Sequence, residues 1–216
     1  MSPIRTFFTF LLCILGLGAC KEEYVYPDVL TEFTELKTDK TGNLANLITD
    51  RGECFTIGQA PTKYELTPDS IYRAVSVYQP LEEDPNKVQL YSVGIVNAPV
   101  PITEAELTEG MKTDPVDIQS IWKSGNYINM VLLLQVKDKG HVCHFIDQGI
   151  EQNPDGSQTL KLSFFHDRKD DYEAFTQRGN FSIPLWYYEG KLKKGDKIRF
   201  QIQTYKEGKI TREFNY

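Results

Sequence analysis

The run Asp196-Lys197-Ile198-Arg199-Phe200-Gln201-Ile202-Gln203-Thr204-Tyr205 puts Ile198, Phe200 and Ile202 on one side of an extended backbone and Lys197, Arg199, Gln201 and Gln203 on the other. Side chains alternate faces with period two in a strand, so this stretch reads as a strand with one dry face and one wet face. The same period recurs upstream in Leu160, Leu162 and Phe164. It recurs again in Ile128, Met130, Leu132, Leu134 and Val136, where Val131 and Leu133 make the opposite face apolar too, which predicts a central strand covered on both sides. In Phe181 to Tyr188 the set Phe181, Ile183, Leu185 and Tyr187 reads as the core face, leaving Ser182, Pro184, Trp186 and Tyr188 outward. Pro184 marks that strand as an edge, because proline has no N–H to give a second neighbour. Turn residues at Ser124-Gly125-Asn126, Asp138-Lys139-Gly140, Asn153-Pro154-Asp155-Gly156 and Lys206-Glu207-Gly208 separate these runs. About seven strands in about 100 residues predict a β-sandwich of immunoglobulin-like size.

The first half is equally strand-rich. Residues 29–39, 44–50, 53–58, 71–80 and 87–100 are five runs dense in Val, Ile, Thr, Tyr and Phe. Gly42-Asn43 and Asp50-Arg51-Gly52 supply hairpin chemistry between the first three. The longest connection, Gln59 to Ser70, falls between the third and fourth, which suits a small barrel of the OB type, although propensity alone leaves an open meander available. Pro99 and Pro101 interrupt pairing, Thr103 to Leu107 can start one short helix, and Gly110 follows. Charge changes there as well: residues 30–110 hold 6 basic and 13 acidic side chains, residues 111–216 hold 16 and 14. The expected fold is therefore all-β, an N-terminal five-stranded OB-like barrel over 29–110 followed by an immunoglobulin-like antiparallel β-sandwich over 111–216.

The N-terminus states an address. Arg5 supplies a positive n-region, Phe7 to Leu17 form an apolar run of 11 residues, and Leu17-Gly18-Ala19-Cys20 closes with small residues before a cysteine. A bilayer span needs about 20 apolar residues, so residues 1–19 read as a lipoprotein signal peptide, and Cys20 as the acylated first residue of the mature chain. Residues 20–28 then form the lipidated cysteine and its tether. Lys21, Glu22 and Glu23 resemble the acidic export signal that surface lipoproteins of Bacteroidetes carry after the acylated cysteine. Acyl chains contribute about 0.8 kcal/mol per buried methylene, so a multiply acylated Cys20 anchors the chain without a spanning helix.

Chemistry-bearing residues are sparse. The sequence contains no G-x-S-x-G elbow, H-E-x-x-H, C-x-x-C or P-loop. In His141-Val142-Cys143-His144, a strand places His141 and Cys143 on one face and His144 on the other, which offers two metal ligands at most, and spacing gives no support to His166 as a third. Cys54 and Cys143 can pair or remain free and buried. Asp167, Asp170, Asp171 and Glu173 lack the spacing of a calcium loop and carry Arg168 and Lys169 among them. No catalytic residue, metal site or cofactor is expected. Nucleic acid is excluded as a partner of the barrel, since 13 acidic against 6 basic residues repel phosphate. Trp186 and Tyr188, read as wet aromatics on an edge strand, are the candidate binding surface, with packing under a loop or against the other unit as the alternative.

The stretches Tyr26-Pro27-Asp28-Val29-Leu30-Thr31-Glu32-Phe33, Thr49-Asp50-Arg51-Gly52 and Leu66-Thr67-Pro68-Asp69-Ser70 resemble the NigD-like lipoproteins of Bacteroidetes, as do Ile121 to Met130, His166-Asp167-Arg168 and Asp171 to Phe175. The resemblance covers the mature chain and implies an OB-like domain followed by a β-sandwich. The family takes its name from a bacteriocin-linked operon, a genomic link that implies no reaction and no binding residue. Two readings stand: a non-catalytic interaction module at the outer-membrane surface, anchored through Cys20 and with a protein partner, or an accessory lipoprotein that binds a glycan or peptide.

Because acylation requires the Cys20 thiol, Cys20→Ala is expected to release the protein from the membrane with its domains still folded. Fatty-acid labelling and membrane fractionation check this, and a membrane-bound, acylated variant overturns the lipoprotein reading.

Overall fold

The computed structural model of the protein describes residues 28–60 and 64–216. Cys20, Lys21, Glu22 and Glu23 lie outside the described residues. The first unit holds β1 (Leu30–Thr38), β2 (Leu44–Thr49), β3 (Cys54–Gln59), β4 (Ile71–Pro80) and β5 (Lys87–Ile95). They close into a barrel in the order β1-β2-β3-β5-β4, sealed where β1 pairs antiparallel with β4 from Leu30↔Tyr78 to Lys37↔Ile71. Closure leaves the barrel no free edge, and period two then divides every strand into an inside and an outside. Leu36, Leu47, Ala74, Tyr78, Val88 and Leu90 fill the inside. Thr34 and Ser76, also inside, meet hydroxyl to hydroxyl at 2.7 Å, so neither is left unsatisfied.

The second unit is a two-sheet sandwich. β7 (Asp117–Ser124), β8 (Tyr127–Val136) and β11 (Phe175–Pro184) form one sheet in the order β11-β8-β7. β6 (Ile102–Thr103), β9 (Val142–Gln152), β10 (Gln158–Asp167), β12 (Lys197–Thr204) and β13 (Gly208–Asn215) form the other, in the order β13-β12-β10-β9-β6. β8 is central and buried over most of its length, as its two apolar faces predict, and β11 is an edge, as Pro184 predicts. Ile128, Met130, Leu132, Leu160, Leu162, Phe145, Ile183, Ile198 and Phe200 make the core between the sheets. Within the larger sheet β10 pairs with β12, and β6 with β9, in parallel.

The passage between units comes upstream of residue 110. Asn97 already bridges to β11: its N–H donates to the Asn180 carbonyl at 3.1 Å and its carbonyl accepts the Ser182 N–H at 3.0 Å. β6 then joins the sandwich through Ile102↔Ile146. A two-residue strand whose partner lies more than 40 positions away leaves no local pattern, which is why proline spacing and charge balance place the boundary too late. The expected short helix is a single 3-10 turn, Glu104–Glu106, closed where Glu106 accepts the Thr103 N–H at 2.7 Å.

Candidate functional site

The site is built where the barrel meets the sandwich. Arg73 lies on the outer face of β4 between the inward-facing Ala74 and its neighbours, and its side chain is 2% exposed. Its guanidinium grips Asp50, in the β2–β3 turn, through two N–H···O bonds of 2.6 and 2.8 Å. The sandwich completes both charges. Asn129 Oδ1 accepts from Arg73 Nη2 at 2.9 Å and Ser182 Oγ from Nε at 3.4 Å, while the Tyr127 ring lies under the guanidinium at 3.9 Å. The Asp50 carboxylate accepts the Ser124 hydroxyl and the Asn129 amide. A planar, always-charged guanidinium fits such a forked and stacked site as lysine does not. Gly125, in the β7–β8 turn, has φ +52° and comes so close to the β2–β3 turn that a Cβ would stand 2.9 Å from the Asp50 carbonyl oxygen. Glycine here serves both the backbone conformation and the close approach.

Two cavities flank this contact. The larger, about 550 Å³, is lined by Glu32 and Phe33 of β1, Asp50 and Arg51 of the turn, Trp122 of β7 and Arg178 of β11, among others. Phe33 and Trp122 meet edge to face at 5.1 Å across the junction. Arg51 is held by Glu32 at 2.9 Å and by Glu53, whereas Arg178 is exposed and makes no ion pair among the described residues. The second cavity, about 390 Å³, is lined by Glu35, Ile71, Arg73, Tyr127 and Trp186. Tyr127 donates its hydroxyl to Glu35 at 2.8 Å and is pushed up to about 12 by burial first and the Glu35 bond second.

The sequence-predicted pair of wet aromatics separates. Trp186 is 46% exposed beside the second cavity, with its Nε1 3.3 Å from the Tyr127 hydroxyl. Tyr188 is buried at 1% exposure, packs into the sandwich core and donates to Asp147 at 3.0 Å; Tyr187 is outside instead. The reason is local: the strand ends at Pro184 and Leu185–Tyr188 form a 3-10 turn, so period two fails four residues before it was expected to. Burial and the Asp147 carboxylate raise the Tyr188 hydroxyl well above the ordinary tyrosine range.

The polar clusters turn out differently from their spacing. Cys54 and Cys143 are both free, and burial pushes the Cys143 thiol up to about 12, which keeps it protonated at neutral pH. Asp171 is buried and receives the Lys137 N–H at 2.7 Å, closing a turn. His166, discounted on spacing, stands 2.9 Å from His141, because β9–β10 register sets Cys143 opposite it. Among the described residues no three His, Cys, Asp or Glu converge as metal ligands. The Arg73–Asp50 pair escaped sequence reading altogether. The signal available was an arginine flanked by apolar residues within a strand, Tyr72-Arg73-Ala74-Val75.

Truncating one member of a buried ion pair strands the other, at about 3–5 kcal/mol. Asp50 keeps some contact with water, so Arg73→Ala is expected at the lower end, about 3 kcal/mol, read by denaturant unfolding. Tyr188→Ser is expected to lower stability by about 3–5 kcal/mol and Trp186→Ser by under about 1 kcal/mol, since only the former empties core volume.

The description NigD-like C-terminal beta sandwich domain matches residues 98–216. Among solved structures, a NigD-like immunity protein from Bacteroides caccae is 31% identical, with 89% of this chain and 99% of that chain covered and a TM-score of 0.73. A protein of unknown function from Bacteroides vulgatus (18% identity, 87% and 91% covered, TM-score 0.67) and a candidate lipoprotein from Bacteroides fragilis (16%, 88% and 97%, 0.59) share the fold. No curated protein matches. With its sandwich matched by that domain and 89% of its length covered by a NigD-like protein 31% identical to it, this chain belongs to the NigD-like family.

Proposed function

We propose that the chain is a lipid-anchored, non-catalytic interaction module of the outer-membrane surface, whose protein partner seats in the larger cleft between barrel and sandwich. The observation that carries the proposal is that cleft: about 550 Å³, with Phe33 and Trp122 on its apolar side and the unengaged cation of Arg178 at its wall. Partner surfaces favour this combination of an aromatic anchor and an arginine. The non-catalytic reading is supported by the commitment of the polar lining to internal contacts: Ser124 donates to Asp50, and Glu32 is held by Arg51. Anchoring is supported by Leu17-Gly18-Ala19-Cys20 and by the Bacteroides fragilis relative. The Bacteroides caccae relative carries the name of an immunity protein, and we extend that role to this chain as part of the proposal. The exposed Trp186 beside the second cavity favours a different occupant there, a glycan stacked on the indole.

Arg178→Glu reverses an exposed charge and is expected to change stability by under about 0.5 kcal/mol. In a pull-down from native outer membrane with lipidated protein, it should abolish capture of the partner that the wild type retains, while Trp186→Ser retains it. Capture unaffected by Arg178→Glu, together with glycan binding lost in Trp186→Ser, replaces the protein-partner reading with the glycan one.

A further inference from the structure

The chain has three histidines, and the fold brings two of them together at the end of the sandwich away from the barrel. His141 lies just before β9 and His166 near the end of β10, and their rings face each other with Nδ1 of His141 2.9 Å from Nε2 of His166. Both outer nitrogens face acceptors. His166 Nδ1 is 3.0 Å from the Asp114 carbonyl oxygen, and His141 Nε2 is 3.3 Å from Asp171 Oδ2. The His141 and Asp171 side chains are 5% and 0% exposed, and His166 is buried, so water does not stand in for a missing partner.

A proton count follows from these contacts. A carbonyl and a carboxylate only accept, so His166 Nδ1 and His141 Nε2 each carry hydrogen. The ring-to-ring contact needs a third hydrogen, on one of the two facing nitrogens. Two neutral imidazoles hold only two ring hydrogens. We propose that His141 and His166 share one extra proton held against Asp171, and that this proton clamps the β8–β9 turn to the β10–β11 loop.

Surrounding groups place the charge. Burial disfavours charge on His166 and lowers its affinity for a proton, while the Asp171 carboxylate lies 3.3 Å from the other ring. Burial alone pushes the Asp171 carboxyl up, but the N–H groups of Lys137, Asp138, Lys139 and Tyr172 outweigh it and hold the acid well below the ordinary range. The other charges near the pair are Asp114, which accepts the Arg168 N–H, and Asp167, which is engaged by Lys169 at 2.8 Å. Lys139 is turned away, donating to the carbonyls of Lys169 and Asp170, and Arg168 binds Glu173. A metal fits less well. Two nitrogens bound tetrahedrally to zinc stand about 3.3 Å apart, whereas 2.9 Å is hydrogen-bond spacing. The clamped loop carries Tyr172, 71% exposed, and leads into Phe175, 55% exposed, so the proton governs how firmly these aromatics are presented.

Imidazole nitrogen shifts of the full lipidated chain in detergent micelles, labelled at histidine, count the ring protons directly. At pH 5.5 three of the four His141 and His166 nitrogens should be protonated. As pH rises, one proton should leave the pair, with the facing nitrogens of both rings shifting together, and amide protection at Lys137 and Asp138 should fall roughly tenfold or more, as for loss of a charged hydrogen bond. Asp171→Asn keeps an acceptor oxygen and removes the charge, so it should remove the third proton at pH 5.5; the wild-type count does not depend on that variant folding. A pair holding only two protons from pH 5.5 upward overturns the proposal. So does unchanged amide protection when the proton leaves, or equimolar zinc displacing protons from both rings.

Discussion

A charge buried on one unit can be tolerated only if the other unit completes it, and the Arg73–Asp50 pair imposes that condition here. Both residues belong to the barrel, and on an isolated barrel they would stand at its surface. Docking removes them from water, which costs several kcal/mol per ion unless hydrogen bonds replace the lost hydration. The sandwich supplies the replacements from three strands: Ser124, Asn129, Ser182 and the Tyr127 ring. The contact therefore contributes less to net stability than to orientation, because a sandwich rotated on the barrel would leave a buried guanidinium and carboxylate short of partners.

That fixed orientation creates the cavities. Phe33, Arg73 and Glu35 all project from the outer face of the β1–β4 pair, so the strand period that fills the barrel with Leu36, Ala74 and Tyr78 also lines the junction. Seating the β7–β8 turn against Asp50 holds Trp122 and Ser120 over that face on one side and Tyr127 and Trp186 on the other. β8 connects the junction to the far end of the sandwich: from Tyr127 to Val136 it runs about 30 Å at 3.3 Å per residue. The histidine pair is thus remote from the cleft, and its effect falls on the loop that bears Tyr172 and leads into Phe175.

Much of this was legible in sequence because alternation is a local signal. Ile198, Phe200 and Ile202 are buried and Lys197 is exposed, as their spacing predicts, and Gly-containing turns fall where the hairpins are. Three features resisted for one physical reason, that each is decided by a contact distant in the chain or by a change of backbone geometry. Tyr187 and Tyr188 exchange faces because a 3-10 turn replaces the strand after Pro184. His141 and His166 meet through β9–β10 register, across 25 positions. Arg73 and Asn129 are 56 apart and belong to different units. Local pattern finds the strands; it does not find which outward-facing polar residue is destined for an interface.

Two of the stretches that carry the family resemblance face each other across this interface. Thr49-Asp50-Arg51-Gly52 is the barrel's side of the junction, and Ile121 to Met130 holds Trp122, Ser124, Gly125, Tyr127 and Asn129 on the sandwich's side. Their physical work is to dock two units in one orientation: an ion pair, its acceptors, a glycine that admits close approach, and an edge-to-face aromatic contact. Such residues are poor candidates for choosing a ligand, since their polar groups are already committed to each other. Under the proposed function, selectivity rests instead on side chains that the orientation leaves exposed on the cavity walls, Arg178 on one side and Trp186 on the other. Two proteins can accordingly share the junction, and with it the family's fold, while presenting different chemistry in the clefts that the junction holds open.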